Sequence, residues 1–284
     1  MTHNICRALA VAALLTAPCL AAKLEIDLVV EALVKSRLET GIVEPRQRQA
    51  AIRNLFNDVG CSVEEQRIDK NSGNVICTLP GQTSSTIVVG GHFDFVERGK
   101  GIVDDWSGAS LLPSLYHALK SQPREHTYVF VAFAGEERGL LGSSRYVKNL
   151  TPAQRALIRA FVNLECLGLT PVKVWTSRST PALVARLNET ARALQTTVQG
   201  VNIDQVGDDD THPFLSAHIP VISIHSVTQE NLRILHSERD RVEAIHLDEY
   251  YLAYKLTAYY LAYLDAKPAG TESVGFDPVL RPAR

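Results

Sequence analysis

Continuous apolar runs alternate along this chain with segments whose apolar positions recur at helical spacing. Four runs, rich in β-branched and aromatic residues, are typical of strands covered on both faces. They lie at residues 86–89, 128–133, 160–164 and 221–225. Strands of this kind, separated by helices, predict an α/β fold.

The remaining patterns complete this outline. Further strands are predicted at residues 63–68, 74–79 and 172–176, with a hairpin turn at 69–73 and a glycine-rich turn at 139–144. Helices are predicted at residues 24–38, 46–56, 109–119, 181–194 and 248–264, and another begins at Thr151-Pro152. A tail follows from Phe276. Because no linker composition or internal repeat interrupts the alternation, the sequence predicts one catalytic domain over residues 23–284.

The first 22 residues differ in kind. Arg7 precedes an apolar run at residues 8–15, and small residues follow around Ala21-Ala22. This order is typical of a secretory signal peptide cleaved near Ala21 or Ala22. The alternatives are a membrane anchor, for which the run is too short, and a lipoprotein signal ending at Cys19. The sequence therefore predicts a secreted or periplasmic protein without a membrane span in the mature chain.

Charge and cysteine content narrow the class of protein. The chain has 284 residues and a formal net charge of −2, with no basic block, which argues against a nucleic-acid partner. Beyond the signal segment the cysteines are Cys61, Cys77 and Cys166. Cys61 and Cys77 either pair in an oxidising compartment or pack, like Cys166, as small buried hydrophobes. No Cys-x-x-Cys occurs, so a cysteine-ligated zinc site is not expected.

Polar side chains with metal-binding chemistry collect where the apolar runs end. In open α/β sheets, sites form at such strand ends. Zinc binds imidazole nitrogen and carboxylate oxygen, and two adjacent metal ions share a carboxylate. The candidate metal ligands are His92, Asp104, Glu137, Glu165 and His236. This set gives each of two metals one histidine and one carboxylate, with one carboxylate left to bridge.

Two acidic residues close to these candidate ligands in the sequence, Asp94 and Glu136, can assist a metal site without binding the metal. Asp94 lies two residues after His92, on the same face of an extended segment, and can accept a hydrogen bond from the imidazole N–H and hold the ring. Glu136 precedes a candidate ligand and can take a proton from an activated water. Both are therefore candidate catalytic residues.

These motifs, taken in chain order, resemble those of the co-catalytic di-zinc aminopeptidases of the bacterial leucyl aminopeptidase and aminopeptidase Y type. The resemblance rests on His92-Phe93-Asp94, Asp104-Asp105-Trp106-Ser107-Gly108, the run from Glu136 to Ser143, Glu165 and His236. It implies the three-layer α/β/α sandwich of zinc exopeptidases, with a mixed, mostly parallel central sheet. It also implies peptide substrates and two Zn²⁺ ions per chain.

The same resemblance assigns a role to each residue. Asp104 becomes the bridging carboxylate and Glu136 the general base, while Asp94 orients a ligand. His92 and Glu165 serve one zinc ion, and Glu137 and His236 serve the other.

This chain departs from the family pattern at several places. Glu165 stands where Asp is common, and Glu there occurs in relatives that act as carboxypeptidases. Trp106 replaces a small or polar residue and is a candidate wall of the substrate pocket. Where many relatives have Ser-Asp-His, this chain has Asp209-Asp210-Thr211, so His212 is left out of the ligand set. His225 is the reserve ligand, and Asp105 is interpreted as an acid in the first turn of a helix.

Three alternatives to an aminopeptidase stay open. Glutaminyl-peptide cyclisation uses a related scaffold with a single zinc ion and an acyl-transfer step. A carboxypeptidase needs a cation for the substrate carboxylate, which Arg98, Lys100 or Arg178 can supply. A binding module that has lost its metals is disfavoured, because all five ligands and Glu136 are present. The sequence defines neither the preferred N-terminal residue nor the oligomeric state.

Overall fold

A mixed sheet is the middle layer of this fold. The structure is a computed structural model that describes residues 23–24, 26–266 and 277–278, so the predicted signal peptide and most of the predicted tail lie outside it. The strands are β1 (Lys23–Leu24), β2 (Val63–Arg67), β3 (Gly73–Leu79), β4 (Thr86–His92), β5 (Thr127–Phe133), β6 (Ile158–Glu165), β7 (Lys173–Val174), β8 (Gln199–Gly200), β9 (Val221–His225) and β10 (Asp277–Pro278).

Eight strands form the main sheet in the order β2-β3-β5-β4-β6-β9-β7-β8. The central strands β5, β4, β6 and β9 are parallel to one another. The outer strands bring antiparallel pairs, β2 with β3, β3 with β5, and β7 with β9. Strands β1 and β10 pair separately. The carboxyl ends of β4, β5 and β6 therefore meet at one edge of the sheet.

Helices cover both faces of this sheet. They are α1 (Glu31–Glu39), α2 (Arg48–Asp58), α3 (Ser107–Ala109), α4 (Leu112–Lys120), α5 (Leu141–Asn149), α6 (Pro152–Leu157), α7 (Pro181–Ala193), α8 (Thr211–Ser216) and α9 (Leu247–Ala266). None of the helices in the described part of the chain combines the length and apolar character that a membrane span requires.

The two faces of the central strands bury separate apolar cores. On β4, Ile87 and Val89 pack in the core shared with α1, α2, α4, α7 and α9, whereas Val88 points into the core shared with α5 and α8. Successive side chains of a strand alternate between faces, so a strand covered on both sides reads as a continuous apolar run. The predicted three-layer α/β/α sandwich with a mixed sheet is confirmed.

Some predicted elements have different boundaries. The first helix begins at Glu31 rather than at residue 24, because the preceding backbone bonds to other elements: the Asp27 N–H donates to the Ala118 carbonyl and the Val29 N–H to Tyr254. The predicted glycine-rich turn at 139–144 contains the start of α5. Gly142 lies inside this helix. The position requires glycine, because a Cβ there would lie 2.4 Å from Asn74 Oδ1.

Cys61 and Cys77 form a disulfide, and Cys166 is a buried free thiol. The pair joins the segment after α2 to β3. Of the two alternatives left open by the sequence, disulfide pairing is the one that the structure contains.

Candidate metal centre

The predicted ligands converge at the edge where the parallel strands end. His92 is the last residue of β4 and Glu165 the last residue of β6. Glu136 and Glu137 follow β5 within a few residues. Asp104 lies in a tight turn at Ile102–Trp106, and His236 in the long loop after β9. This arrangement follows from the general rule that parallel strands deliver polar residues to their carboxyl ends.

Three buried side chains make the first candidate ligand group. His92 Nε2 lies 3.2 Å from Asp104 Oδ1 and 3.4 Å from Glu165 Oε1. All three residues are less than a tenth exposed. Burial alone would lower the pKa of His92, but Glu136, Glu165 and Asp104 together hold that pKa well above its ordinary value.

The second group shares Asp104 with the first. His236 Nε2 lies 3.1 Å from Asp104 Oδ2 and 3.0 Å from Glu137 Oε2. Asp104 therefore turns one carboxylate oxygen toward each histidine. The hydrogen bonds that protonated His236 donates to Asp104 and Glu137 raise the pKa of His236 to about 10, although its side chain is 52% exposed.

The donor set fits divalent metal ions such as zinc. Each group offers one imidazole nitrogen and two carboxylate oxygens, all within 4.8 Å of one another. In the metal-free chain the two histidines are the cations that oppose Asp104, and they lower its pKa despite its burial. Buried carboxylates at this density need a compensating positive charge, which a bound cation supplies.

Glu136 faces the same site without joining either group. Its Oε2 lies 3.8 Å from His92 Nε2, and its side chain is 12% exposed. Burial raises the pKa of Glu136 to about 10 in the metal-free chain, and the neighbouring acids Asp210, Glu165 and Asp104 act in the same direction, whereas His92 opposes them. Glu136 thus places a buried carboxyl group beside the candidate ligands.

Asp94 contacts His92 through a different atom from the one that the sequence predicts. The Nδ1 of His92 lies 3.1 Å from the backbone carbonyl of Asp94 and 3.8 Å from its carboxylate. We assign the proton of the neutral ring to Nδ1, which leaves the Nε2 lone pair facing Asp104 and Glu165. The Asp94 carboxylate instead accepts from the N–H groups of Gly135 and Glu136, at 2.8 and 3.0 Å. It therefore anchors the loop that carries Glu136 and Glu137.

Asp105 connects the strands that carry the ligands. Its carboxylate accepts from the N–H of Gly108 at the start of α3, as expected of an acid in a first helical turn. It also accepts from the backbone N–H groups of His92 and Cys166, at 3.2 and 2.9 Å. Asp105 therefore holds the ends of β4 and β6 against the turn that carries Asp104. The Asp104–Asp105 peptide bond is cis.

Buried polar side chains behind Glu165 escaped the sequence analysis. The Asn163 amide donates to Glu165 at 3.1 Å and to Asp209 at 3.2 Å, and Asp209 also accepts from Ser223 at 2.6 Å. Asn163 and Ser223 stand opposite each other on β6 and β9. The signal that could have identified Asn163 and Ser223 is a polar residue within an otherwise apolar strand.

A cavity of about 780 Å³ opens over both ligand groups. The polar residues that line it are the candidate ligands, Glu136, Gln205, Asp208, Asp209 and Arg233. The apolar residues that line it are Leu140, Cys166, Trp175, Ile203, Leu232 and Leu235. The prediction that Trp106 walls the pocket is wrong: Trp106 is fully buried elsewhere, with its indole N–H donating to the Arg37 carbonyl. Trp175, which follows β7, occupies that wall.

Two further histidines, the reserve candidate His225 and the excluded His212, lie outside both groups. His225 is buried, with Nε2 at 3.0 Å from the Val201 carbonyl and Nδ1 accepting from the Val227 N–H, so the prediction of a reserve ligand there is wrong. His212 is exposed and pairs with Asp208 at 3.2 Å, away from the metal-binding groups.

Proteins that resemble this chain in sequence include aminopeptidases. The chain matches Peptidase family M28 over residues 74–261. It is 33% identical to an aminopeptidase of Pseudomonas aeruginosa over 96 residues, which cover 34% of this chain and 18% of that protein. It is 29% identical to Aminopeptidase YwaD of Bacillus subtilis over 170 residues, covering 56% of this chain and 36% of the relative. The chain thus spans well under two thirds of the length of these relatives.

Solved structures agree on the fold. The LapA aminopeptidase of Legionella pneumophila superposes with a TM-score of 0.76 at 17% identity, covering 84% of this chain and 73% of LapA. The zinc aminopeptidase BSAP of Bacillus subtilis gives 0.64 at 23% identity, covering 73% and 54%. Porphyromonas gingivalis glutaminyl cyclase gives 0.68 at 17% identity, covering 83% and 99%.

The match to the family covers more than half of the chain, including every predicted ligand and Glu136. This chain therefore belongs to Peptidase family M28.

Proposed function

We propose that this chain is an exported, zinc-dependent exopeptidase, specifically an aminopeptidase that releases single residues from free peptide N-termini. The observation that carries the proposal is the division of Asp104 between two ligand groups, one carboxylate oxygen to each. With two zinc ions per chain, His92 and Glu165 would complete one site, and Glu137 and His236 the other. Asp104 would bridge them.

The residues around the ligands have matching tasks. Zinc held there supplies Lewis-acid polarisation of a peptide carbonyl and lowers the pKa of water. Glu136 lines the cavity and lies close enough to the ligands to accept a proton from an attacking water and pass it to the departing amine. Positive charge in the site favours the ionised form of Glu136, which is the form that a general base requires.

The shape of the cavity suits the end of a peptide. The acids that line it attract the ammonium group of a free N-terminus, which confines cleavage to the first residue. The apolar lining residues, which include Trp175 and Ile203, suit an apolar first side chain. A substrate of this kind matches both the acidic and the apolar lining residues.

Two features support export. The first 22 residues have the pattern of a signal peptide. The disulfide between Cys61 and Cys77 belongs to an oxidising compartment, since disulfides are rare in the reducing cytosol.

Glutaminyl-peptide cyclisation is the second candidate. The observation that favours it is the superposition on a glutaminyl cyclase, which covers 99% of that chain. The presence of two complete ligand groups argues for the aminopeptidase, because the cyclase reaction uses one zinc ion. The motif Asp104-Asp105-Trp106-Ser107-Gly108 points the same way.

A carboxypeptidase needs a cation beside the metal centre. Arg98, Lys100 and Arg178 do not line the cavity over the ligands, and Arg178 pairs with Asp208. The exposed Arg233 does line it, three residues before His236. Arg233 is therefore the residue that a carboxypeptidase reaction would use, and the following experiment separates the two activities.

The proposal is tested by mass spectrometry of peptides incubated with the zinc-loaded mature protein. The set contains free, N-acetylated, C-amidated and N-terminal glutaminyl peptides. We expect single residues to be lost from free N-termini, including those of amidated peptides, while acetylated peptides stay intact. Loss of ammonia from glutaminyl peptides alone would identify a cyclase, and trimming of C-termini a carboxypeptidase. Unchanged peptides with zinc bound would contradict an exopeptidase.

A further inference from the structure

Asp104, the shared ligand of the proposed metal centre, lies at the end of a loop that starts directly after His92. The part of this loop next to Asp104, residues 99–104, is here called the 99–104 segment. It forms no helix or strand before Ile102. Its position therefore depends on side chains that bind its backbone.

Arg48, the first residue of α2, binds the carbonyls of this loop from one side. Its guanidinium donates to the carbonyls of Phe93 at 3.1 Å and Gly101 at 2.8 Å, and also to that of Lys100. A further bond reaches the Gly41 carbonyl at 3.2 Å. One side chain thus ties the residue after His92 to the residues just before Asp104. Only a planar guanidinium has enough donors in a fixed array for this task.

Arg48 is unusual because it is a fully buried cation without an ion pair among the described residues. Burial lowers the pKa of Arg48 to about 10, and the acids Asp240, Asp94, Asp105 and Asp104 oppose this effect from a distance. The guanidinium packs over the Phe95 ring, 4.1 Å from its centroid. Burying a charged side chain without an ion pair costs free energy. We therefore expect Arg48 to have a specific task, which is to hold the backbone of this loop.

Asp240 binds the same segment from the other side, through its N–H groups. Its carboxylate accepts from Val103 at 2.7 Å and from Asp104 at 3.3 Å, and its carbonyl accepts from the Lys100 N–H at 2.7 Å. Asp240 follows His236 by four residues in the same loop. It therefore links the loop of one proposed ligand to the backbone of another.

Close packing shows how little room this segment has. Gly101 has a φ of +53°, and a Cβ there would lie 2.1 Å from the Cβ of Phe95. A Cβ on Gly99 would lie 2.3 Å from the Ser237 carbonyl, in the His236 loop. A side chain at either position would displace the segment and, with it, Asp104.

We propose that Arg48 and Asp240 are positioning residues that clamp the 99–104 segment between them and so fix the spacing of His92, Asp104 and His236. The inference rests on the proposed metal centre. Arg48 lies outside the part of the chain that matches the peptidase family, so this half of the clamp is supplied by the N-terminal helices.

The test measures zinc affinity by competition with a chelator, in apoprotein reloaded with zinc. Arg48→Met and Asp240→Asn should each weaken zinc binding by about 10- to 100-fold, as loss of residues that orient metal ligands commonly does. Arg48→Lys should fail to restore affinity, because one ammonium cannot serve the same carbonyls. Guanidinium ion at sub-denaturing concentration should partly restore zinc affinity to Arg48→Ala, and ammonium should not.

Matched controls separate this role from general stability. Arg37→Met removes another buried arginine, on α1, which donates to Ser114 at 2.7 Å. Asp265→Asn alters a carboxylate that also binds two backbone N–H groups, those of Glu125 and His126, at the opposite end of the fold. Both controls should lower the melting temperature and leave zinc affinity within about twofold of wild type.

Unchanged zinc affinity in folded Arg48→Lys and Asp240→Asn proteins would overturn the clamp while leaving the metal centre intact. An equal loss in the Arg37→Met control would also overturn it. A wild-type protein without zinc affinity would instead overturn the proposed function, and the clamp with it.

Discussion

Asp104 presents one carboxylate oxygen to each of two histidines, and the two remaining carboxylate ligands, Glu165 and Glu137, complete the groups on either side. An isolated buried carboxylate would be strongly disfavoured. Here two histidines lower the pKa of Asp104 despite its burial, which favours its ionised form in the metal-free chain. The Asp104 carboxylate thus lies as a negative charge between the His92 and His236 rings.

Glu136 is the residue whose replacement should separate chemistry from metal binding. In a Glu136→Gln protein, kcat should fall by about 10²- to 10⁴-fold, because the amide cannot accept a proton, while zinc content is retained. Peptidase assays and zinc analysis of the same preparation measure both quantities. Glu64→Gln on the exposed face of β2 is the control. Undiminished turnover in zinc-loaded Glu136→Gln protein would refute the general base.

Single residues show where sequence reasoning was sufficient and where it was not. The convergence of His92 and Glu165 could be predicted, because parallel strands bring their carboxyl ends together. The buried position of Trp106 could not, since it depends on the guanidinium of Arg48 and the backbone carbonyl of Arg37, which come from distant helices. The Asp94 carbonyl contacts the His92 ring, and the Asp94 carboxylate binds the loop that carries Glu136. This could not be predicted either, because it depends on the position of that loop, which the sequence around Asp94 does not indicate.

Among the elements, the ends of β4, β6 and β9 are joined by side chains rather than by backbone alone. Asp105 bonds to the ends of β4 and β6, and Asn163 on β6 reaches Asp209 beside Ser223 on β9. These hydrogen bonds fix the positions of the strand ends relative to one another. The proposed metal ligands at those ends are thereby held within the short distances that a shared carboxylate requires.

His225 at the end of β9 predicts a specific dependence of stability on pH. Burial lowers the pKa of His225 from 6.5 to about 4. The unfolded chain therefore binds the proton more tightly, so stability is complete above about pH 6.5 and falls as the pH drops toward 4. At about 1.4 kcal/mol per pH unit, the contribution is at most about 3.5 kcal/mol.

Chemical denaturation of the metal-free protein at several pH values measures this effect. A His225→Gln protein should show a shallower loss of unfolding free energy between pH 6.5 and 4 than wild type. His218→Gln, at a less buried histidine in the turn after α8, is the control. Identical pH profiles for His225→Gln and wild type would contradict a neutral, buried His225.

The elements were easier to predict by type than by boundary. Apolar runs identified the central strands because both of their faces are covered. The start of α1 was misplaced because the segment before it is held by Ala118 and Tyr254, which lie far away in the sequence. The start of α5 was missed because glycines usually mark turns, whereas Gly142 is required by contact with β3.

For the molecule as a whole, the sequence predicted the layers but could not order the strands. The hairpin of β2 and β3 could be foreseen, but its attachment beside β5 gives the sheet its mixed edge and follows from tertiary packing. The disulfide between Cys61 and Cys77 depends on the same packing, since it requires α2 to end next to β3. The proposed clamp on the 99–104 segment likewise depends on tertiary packing. It brings together Arg48 on α2 and Asp240 in the loop after β9.

We propose that one chain holds two zinc ions bridged by Asp104. Native mass spectrometry of the mature protein, titrated with zinc and then dialysed, counts the zinc ions that each chain retains. We predict a mass increase equal to two zinc ions per chain in the wild type and a weakened second addition in an Asp104→Asn protein. A wild-type chain that saturates with one zinc ion, or an Asp104→Asn protein that retains two as tightly, would contradict the account.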